Sequence, residues 1–430
     1  MPNLSSAPFA DIVGMDHVTE REGRPDSYPS RFTIAPANAE QTAAIMKLCS
    51  QLKLAVNVCG GLTKVGWGNP PTSTDVRVHI DMRRLAGVHE HSWGDLTATV
   101  GAGTRWVDMQ RTLAQHNQRI ALDPLFVDRI TIDGTDNSTV GGIVATNDSG
   151  ALRLRYGSLR DLVIGMTIVL ADGTIARSGG KVVKNVAGYD LPKLLIGSFG
   201  TLGIITEVTF RLHPLPQTTA DFTVRSSAIA PLADLMSAVL KSSLSVEAMQ
   251  LRNEPQLFAL DVRLASLPGV LVDQEASLRS LAAAFAFETA AAETWQHRER
   301  LFGDSNTRFH DDAATVLKIT CLPQKLSALV DGFAQLDQEP FHTARCVADP
   351  VGIVTAAITA PPDALAEIID DLRARLLSTG GTVVVLQDGQ LPYAFDGWGP
   401  RPAAIDIMRA VKQQFDPQRL LNPGCFVGGI

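Results

Sequence analysis

At 430 residues the chain exceeds one compact domain of roughly 100 to 200 residues, so it divides into two domains or into one large domain and a lobe. Hydrophobic residues make up 45% of it and charged residues 19%, a balance that excludes disorder as a description of the whole. With 38 basic against 45 acidic side chains the net charge is −7, so no cationic field exists to hold a phosphate backbone, and nucleic acid is excluded as the main partner.

Residues 1–30 read as an N-terminal extension that mixes Asp11, Asp16, Glu20, Arg21 and Glu22 with prolines. A basic start followed by an apolar core is missing, so no signal peptide is expected and the chain reads as cytoplasmic. From Arg31 to Leu212 short β runs alternate with amphipathic helices. Ile45, Leu48, Cys49 and Leu52 recur at helical spacing after Pro36 and Asn38, and the strand-like run Ala55 to Val58 follows, ending in a glycine loop. Then come Val76 to Asp81, Thr97 to Val100, and a helix with Trp106, Met109 and Leu113 on one face. Leu162 to Leu170 reads as a strand, Asp172-Gly173 as a hairpin turn, and Ile204 to Leu212 as another strand.

His213-Pro214-Leu215-Pro216-Gln217 is a poor strand continuation, because each proline removes a backbone donor, and a domain boundary is expected there. Beyond it, strand-like runs at Phe258 to Leu264, Val316 to Thr320, Ile353 to Ile358 and Thr382 to Leu386 alternate with helical ones at Leu232 to Leu240, Glu275 to Phe287 and Leu365 to Leu377. That pattern suggests an antiparallel sheet with helices on one side. A last helix runs from Ala403 to Phe415, and no fixed-period repeat is apparent. The longest apolar candidates, such as Leu281 to Phe287, fall short of the roughly 18 residues of a membrane span, so any membrane association would run through partner subunits. The five cysteines are scattered and form no C-x-x-C pair, which removes the usual signature of a disulfide framework, a zinc site or a cysteine-ligated iron–sulfur cluster, and no metal site is expected.

Three glycine clusters invite chemistry. Cys59-Gly60-Gly61-Leu62-Thr63-Lys64 follows a buried-looking strand. Glycine lets successive N–H groups converge on an anion, and Thr63 and Lys64 add a hydroxyl and a charge, so the loop reads either as a diphosphate cradle or as a plain tight turn. The second cluster runs from Ser138 to Gly150, including Thr139, Gly141, Gly142, Thr146, Asn147 and Ser149, with Tyr156 behind it. It reads as a backbone-lined polar cofactor site or as a polar surface loop. The third, Gly197 to Glu207, leads into a strand through Gly203, Ile204 and Ile205.

In this order the clusters carry a resemblance. The stretch from about Arg31 to Pro216 resembles the FAD-binding domain of the vanillyl-alcohol-oxidase and para-cresol-methylhydroxylase superfamily. Gly179 to Asp190 followed by Gly200-Thr201-Leu202-Gly203, with Gly397-Trp398-Gly399-Pro400 and Phe415-Asp416-Pro417 through Asn422-Pro423-Gly424 at the end of the chain, is similar to the E-type FAD-binding subunit of bacterial glycolate oxidase. The resemblance implies an α+β chain with a two-lobed FAD-binding domain at 31–216, a substrate or cap domain of antiparallel sheet plus helices at 217–400, and a C-terminal segment at 401–430 that returns to the first domain. It implies noncovalent FAD. Gly60, Gly61, Thr63 and Lys64 would hold the diphosphate. Ser138, Thr139, Gly142, Asn147, Ser149 and Gly150 would follow diphosphate and ribityl chain. The backbone of Gly203 to Ile205 would meet the isoalloxazine edge, and Asn422 would close the pocket.

It further implies a 2-hydroxy acid substrate such as glycolate, with a second flavin subunit and an iron–sulfur subunit as partners. A self-contained 2-hydroxy-acid dehydrogenase and a non-catalytic assembly subunit are the alternatives. Leu62 departs from the family, standing where a third glycine is usual, so a positive φ there would strain the loop. Cys59 is at once a possible attachment point and a small buried residue at a strand end. In the second domain Arg252, Arg263, Arg298, Arg308, His310 and Tyr393 are scattered, His297 stands apart from other histidines, and Trp295 to Arg300 reads as an exposed amphipathic helix. No catalytic residue is assigned.

Overall fold

The computed structural model describes residues 5–20, 31–71, 77–127, 137–180, 190–291, 295–303, 314–392 and 395–430. Two compact units emerge: Met1–Asp148, Ser158–Pro214 and Arg401–Ile430 form the first, and Ser149–Gly157 with Leu215–Pro400 form the second.

The first unit holds two sheets. In one, Ala55–Cys59 and Phe32–Ile34 flank Arg77–Asp81 in parallel, and Val18–Glu20 adds an antiparallel edge. Parallel strands need a crossover, and the helix Ala39–Leu52 supplies it. Asn38 caps that helix, its side chain accepting from Gln41 N at 2.8 Å. Its 3.6-residue spacing then buries Ile45, Met46 and Cys49 against Val56, Val78 and Ile80. The segment ahead of residue 31 joins this core, since Phe9 of the helix Ala7–Val13 is fully buried in it. The second sheet is antiparallel, in the order Val88–Ser92, Thr97–Gly101, Ile204–Arg211, Val163–Val169, Ile175–Gly179. Trp106, Met109 and Leu113 of the helix Trp106–Ala114 close over it, the Trp106 ring meeting Phe210 edge-on at 6.4 Å.

The second unit is built on one eight-stranded antiparallel sheet. Its strands run in the order Ala290–Ala291, Thr218–Ser226, Leu257–Ser266, Val246–Glu254, Thr343–Asp349, Ile353–Thr359, Thr315–Thr320, Thr382–Gln387. Four helices, Ile229–Lys241, Pro268–Ala284, Leu326–Leu336 and Pro362–Leu377, supply the other half of the core. Alternation along Leu257–Ser266 sends Phe258, Leu260, Val262 and Leu264 into that core and Asp261 and Arg263 to the other face. The unit is a β-α-β-β-α-β pattern used twice, each half with its four strands in the order 4-1-3-2. The duplication is invisible as a sequence period, because the halves share a pattern and not residues. The helix expected from Glu275 begins at Pro268, where proline at the first helical position is pre-organised for entry.

Candidate cofactor site

The strand Ala55–Cys59 delivers the first glycine cluster. A Cβ at Gly60 would stand 2.2 Å from Thr139 Oγ1, and one at Gly61 only 1.8 Å from the Asn137 carbonyl oxygen. Both glycines are therefore required by the way the loop lies on residues 137–139, whatever the loop binds. Gly61→Ala is expected to destabilise the first unit by about 1 to 3 kcal/mol, the usual cost of overpacking, measured as a lowered urea midpoint of the cofactor-free protein. An unchanged midpoint would show the loop free to move off residues 137–139. Leu62 is in the left-handed region with φ 56°, so the position that departs from the family does carry the strain anticipated for it. Burial, followed by the Asp81 charge and partly offset by Arg83, pushes the Cys59 thiol up to about 12. It is a protonated strand-end residue at neutral pH, its Sγ 3.5 Å from the Ile80 carbonyl.

Lys64 does not face outward as a free charge. Its ammonium donates to Leu125 O at 3.1 Å and to Ser138 Oγ, and it pairs with Asp148 at 3.4 Å. Nζ also stands over the Trp67 and Phe126 rings, 5.7 and 5.5 Å from their centroids. Thr63 Oγ1 lies 3.0 Å from Ser138 Oγ, and Asp148 accepts from Leu125 N at 2.7 Å. These contacts make Lys64, Thr63 and Ser138 a buried plug that fastens the loop to two other segments. Asp148 and Leu125, which the sequence patterns did not single out, complete it.

The second cluster is pinned from the other side. Trp106 N donates to Ser138 O at 3.0 Å and Val140 N to Thr104 O at 2.9 Å, after which the chain enters the helix Val140–Thr146. Gly141 is required by close packing, its Cβ falling 2.9 Å from that of Ala102. Gly142 differs, because a Cβ there would meet only Thr139 Oγ1, at 3.3 Å. Thr146 spends its hydroxyl proton on Gly142 O at 2.8 Å, and Asn147, with φ 50°, ends the helix in the left-handed conformation. Asn137 Oδ1 and Ser198 Oγ are buried and have no hydrogen-bond partner among the described residues. A cavity of about 380 Å³ opens beside the same segment, lined by Arg83, Arg105, Asp108, Asn137 and Thr139 among others.

Gly203 leads into Ile204–Arg211, and the Ile204 and Ile205 side chains are buried in the cores of the two sheets, which leaves only their backbone to meet a ligand. Asn422 arrives from the C-terminal segment with φ 42°. Its side chain is a bracket, Oδ1 accepting from Val58 N at 3.0 Å and Nδ2 donating to Phe199 O at 2.6 Å. Ser149, Gly150 and Tyr156 belong to the second unit. There Ser149 O accepts from Arg298, and the Tyr156 hydroxyl donates to Glu247 at 3.0 Å.

Arg252 and Arg263, polar candidates of the second unit, are held by structural partners. Asp261, fully buried, accepts from Thr223 at 2.6 Å, Gln250 at 2.8 Å and Arg252 at 2.8 Å, and Arg263 pairs with Asp221 while lying 4.8 Å over the Trp295 ring. The exposed helix expected at Trp295 to Arg300 is instead one turn, His297–Arg300, with His297 and Arg298 half-buried. Burial first, then the Arg252 and Arg300 charges, hold the His297 pKa below its usual 6.5 against Asp261 and Glu254. Unfolded chain then binds the extra proton, so stability falls as pH drops below about 6.5. His297→Gln is expected to flatten that slope in urea melts between pH 5 and 7, and an identical slope would place the titration elsewhere. Arg308, His310, Tyr393 and residues 181–189 lie outside the described residues. Among the described residues no three His, Cys, Asp or Glu side chains gather to hold a metal ion.

Residues 30–179 match the FAD binding domain family, and residues 398–425 match the C-terminal domain of FAD linked oxidases. Glycolate oxidase subunit GlcD of Bacillus subtilis is 26% identical, over 96% of this chain and 91% of the relative. D-lactate dehydrogenase of Archaeoglobus fulgidus is 26% identical, over 91% of this chain and 90% of the relative. Among solved structures, p-cresol methylhydroxylase with substrate bound superposes with a TM-score of 0.72 at 14% identity, over 97% of this chain and 95% of that one. The fold is thus of the vanillyl-alcohol-oxidase type. FAD is the cofactor of the matched domains. The residues present fit it, since the space at Gly142 is one a side chain would fill and two buried polar atoms close by in sequence to the glycines await partners.

Proposed function

We propose that this FAD-linked oxidoreductase serves as the flavin-binding subunit of a glycolate oxidase or dehydrogenase-type complex, taking part in the oxidation of a 2-hydroxy acid, glycolate to glyoxylate. The observation that carries the proposal is the end-to-end similarity to a glycolate oxidase subunit, joined to an open cradle at Gly142. When bound, FAD supplies the acceptor for the hydride leaving the substrate's carbon. The chain's own part is to hold it. The backbones of Gly60 to Thr63 and of Ser138 to Gly142 would run along the diphosphate, Asn137 and Ser198 would offer their unpaired oxygens, and the backbone of Gly203 to Ile205 would meet the isoalloxazine edge. Cys59, whose thiol burial keeps protonated, would be a poor attachment point, and FAD is expected to be held noncovalently. With five scattered cysteines and no C-x-x-C pair, onward electron transfer falls to partner redox subunits.

The test is the visible spectrum of the purified chain before and after acid precipitation, then after anaerobic glycolate. Release of flavin into the supernatant and bleaching by glycolate are expected. Flavin that glycolate leaves oxidised would move the chemistry to a partner. The similarity to a D-lactate dehydrogenase favours a second reading, a self-contained dehydrogenase, and rapid turnover of D-lactate by the isolated chain with an artificial acceptor would select it.

A further inference from the structure

The helix Ile405–Phe415 buries only one residue below a tenth of its surface, and that residue is a lysine. Lys412 is 3% exposed, and Asp416, one turn on, is fully buried. The ammonium donates to Asp416 Oδ2 at 2.7 Å, to Thr201 O at 2.7 Å and to Leu421 O at 3.0 Å. The carboxylate in turn accepts from Leu420 N at 3.0 Å and Leu421 N at 2.8 Å. Every proton of the ammonium therefore has an acceptor, and two of those acceptors are backbone carbonyls from segments far apart in sequence. Burial outweighs the Asp416 charge and holds the Lys412 pKa below its usual value.

Such a pair is a poor choice if stability were its purpose, because apolar side chains of similar volume commonly serve as well or better. What it does accomplish is geometric. Thr201 lies in the turn from Gly197 to Gly203, and Leu421 forms a bridge with Val56 in the strand that leads to Gly60. Asn422 fastens the same two places again through Phe199 O and Val58 N. Gly200 allows this close approach, since a Cβ there would lie 2.6 Å from Asn422 Nδ2. Phe426 adds a ring contact with Phe199 at 5.8 Å.

We propose that Lys412 and Asp416 are positioning residues of the cofactor site, which set the height of the Gly197 to Gly203 turn against the glycine-loop strand and so place the backbone of Gly203 to Ile205 along the flavin edge. The inference rests on the placement of that edge proposed above. It assigns Lys412 and Asp416 a positioning role in that site.

The double variant Lys412→Met/Asp416→Leu removes the charges together and keeps the volume, at the cost of leaving Thr201 O, Leu421 O, Leu420 N and Leu421 N without these partners. Its FAD dissociation constant is expected to rise about tenfold or more as the edge is misplaced, and the flavin midpoint potential should shift. Ile45→Val, a trimmed core residue of the same unit, is the control. If it loses equal melting temperature and weakens FAD equally with the same shift in potential, the pair is merely structural and the inference falls. Amide exchange on the unaltered protein covers the case in which the double variant fails to fold. FAD should slow exchange at 203–205 and at 412–422 together. Protection of 203–205 with 412–422 unchanged overturns the inference and leaves the cofactor reading standing. Protection at neither 59–64 nor 203–205 overturns the cofactor reading and the inference with it.

Discussion

Replacing Gly142 with valine is expected to yield a folded protein without flavin. Gly142 sits in the first turn of Val140–Thr146, outside the left-handed region, so an L side chain meets no backbone penalty. Valine is a better helix former than glycine by a few tenths of a kcal/mol. Its Cβ would find one neighbour among the described residues, Thr139 Oγ1 at 3.3 Å, which has to give by a few tenths of an ångström. A side chain there would take the space that the proposed backbone-bound diphosphate needs. The cofactor-free variant should therefore melt within a few degrees of the cofactor-free parent while its ratio of flavin to protein absorbance falls at least about tenfold, a loss of some 1.4 kcal/mol or more in FAD binding. Wild-type flavin content would sink the proposed cradle. The contrast with Gly61→Ala is the informative part, since that change should damage the protein whether or not FAD is present.

Lys64→Met is expected to cost about 3 to 5 kcal/mol of unfolding free energy, the usual penalty for removing one partner of a buried ion pair. Methionine keeps most of the stem's length, so packing loss is small. What changes is Asp148, 2% exposed, whose carboxylate loses its cation, while Ser138 Oγ and Leu125 O lose a donor. The urea midpoint of the cofactor-free protein measures the effect. Lys64→Met/Asp148→Asn should recover a large part of the loss, because the remaining amide is neutral. A penalty under about 1 kcal/mol, the range of an exposed pair, would mean that water reaches Asp148 and that the plug is not closed.

The elements carried by plain apolar runs were readable from residues alone. Ala55 to Val58, Leu162 to Leu170 and Ile204 to Leu212 lie within a residue of Ala55–Cys59, Val163–Val169 and Ile204–Arg211. Strands whose outward face is polar yet buried were not. Val246–Glu254 carries Glu247, Gln250 and Arg252 among its apolar members, and only its contacts with Asp261 and Tyr156 explain why those side chains are inside. The glycine clusters were visible, but composition does not separate a glycine demanded by packing, as at Gly60, Gly61 and Gly141, from one left open, as at Gly142. That distinction depends on Asn137, Thr139 and Ala102, which belong to other segments. Lys64 was legible as a charge beside a phosphate-type loop and not as a tie to Leu125 and Asp148, since the partners stand 61 and 84 positions away. The same limit hid Lys412 and Asp416, whose spacing alone reads as an ordinary helix-surface pair.

The bond from Val58 N to Asn422 spans 364 positions, and Leu421 covers the outer side of Ala55–Cys59, which is otherwise the last strand of its sheet. A ribosome moving from the N-terminus makes that strand 364 positions ahead of its cover. During synthesis the first unit must wait with an unpaired edge while the whole of Leu215–Pro400, a sheet that pairs only with itself, is made and can close. A nascent chain stalled short of Leu421 would carry an open strand edge that invites pairing with its neighbours.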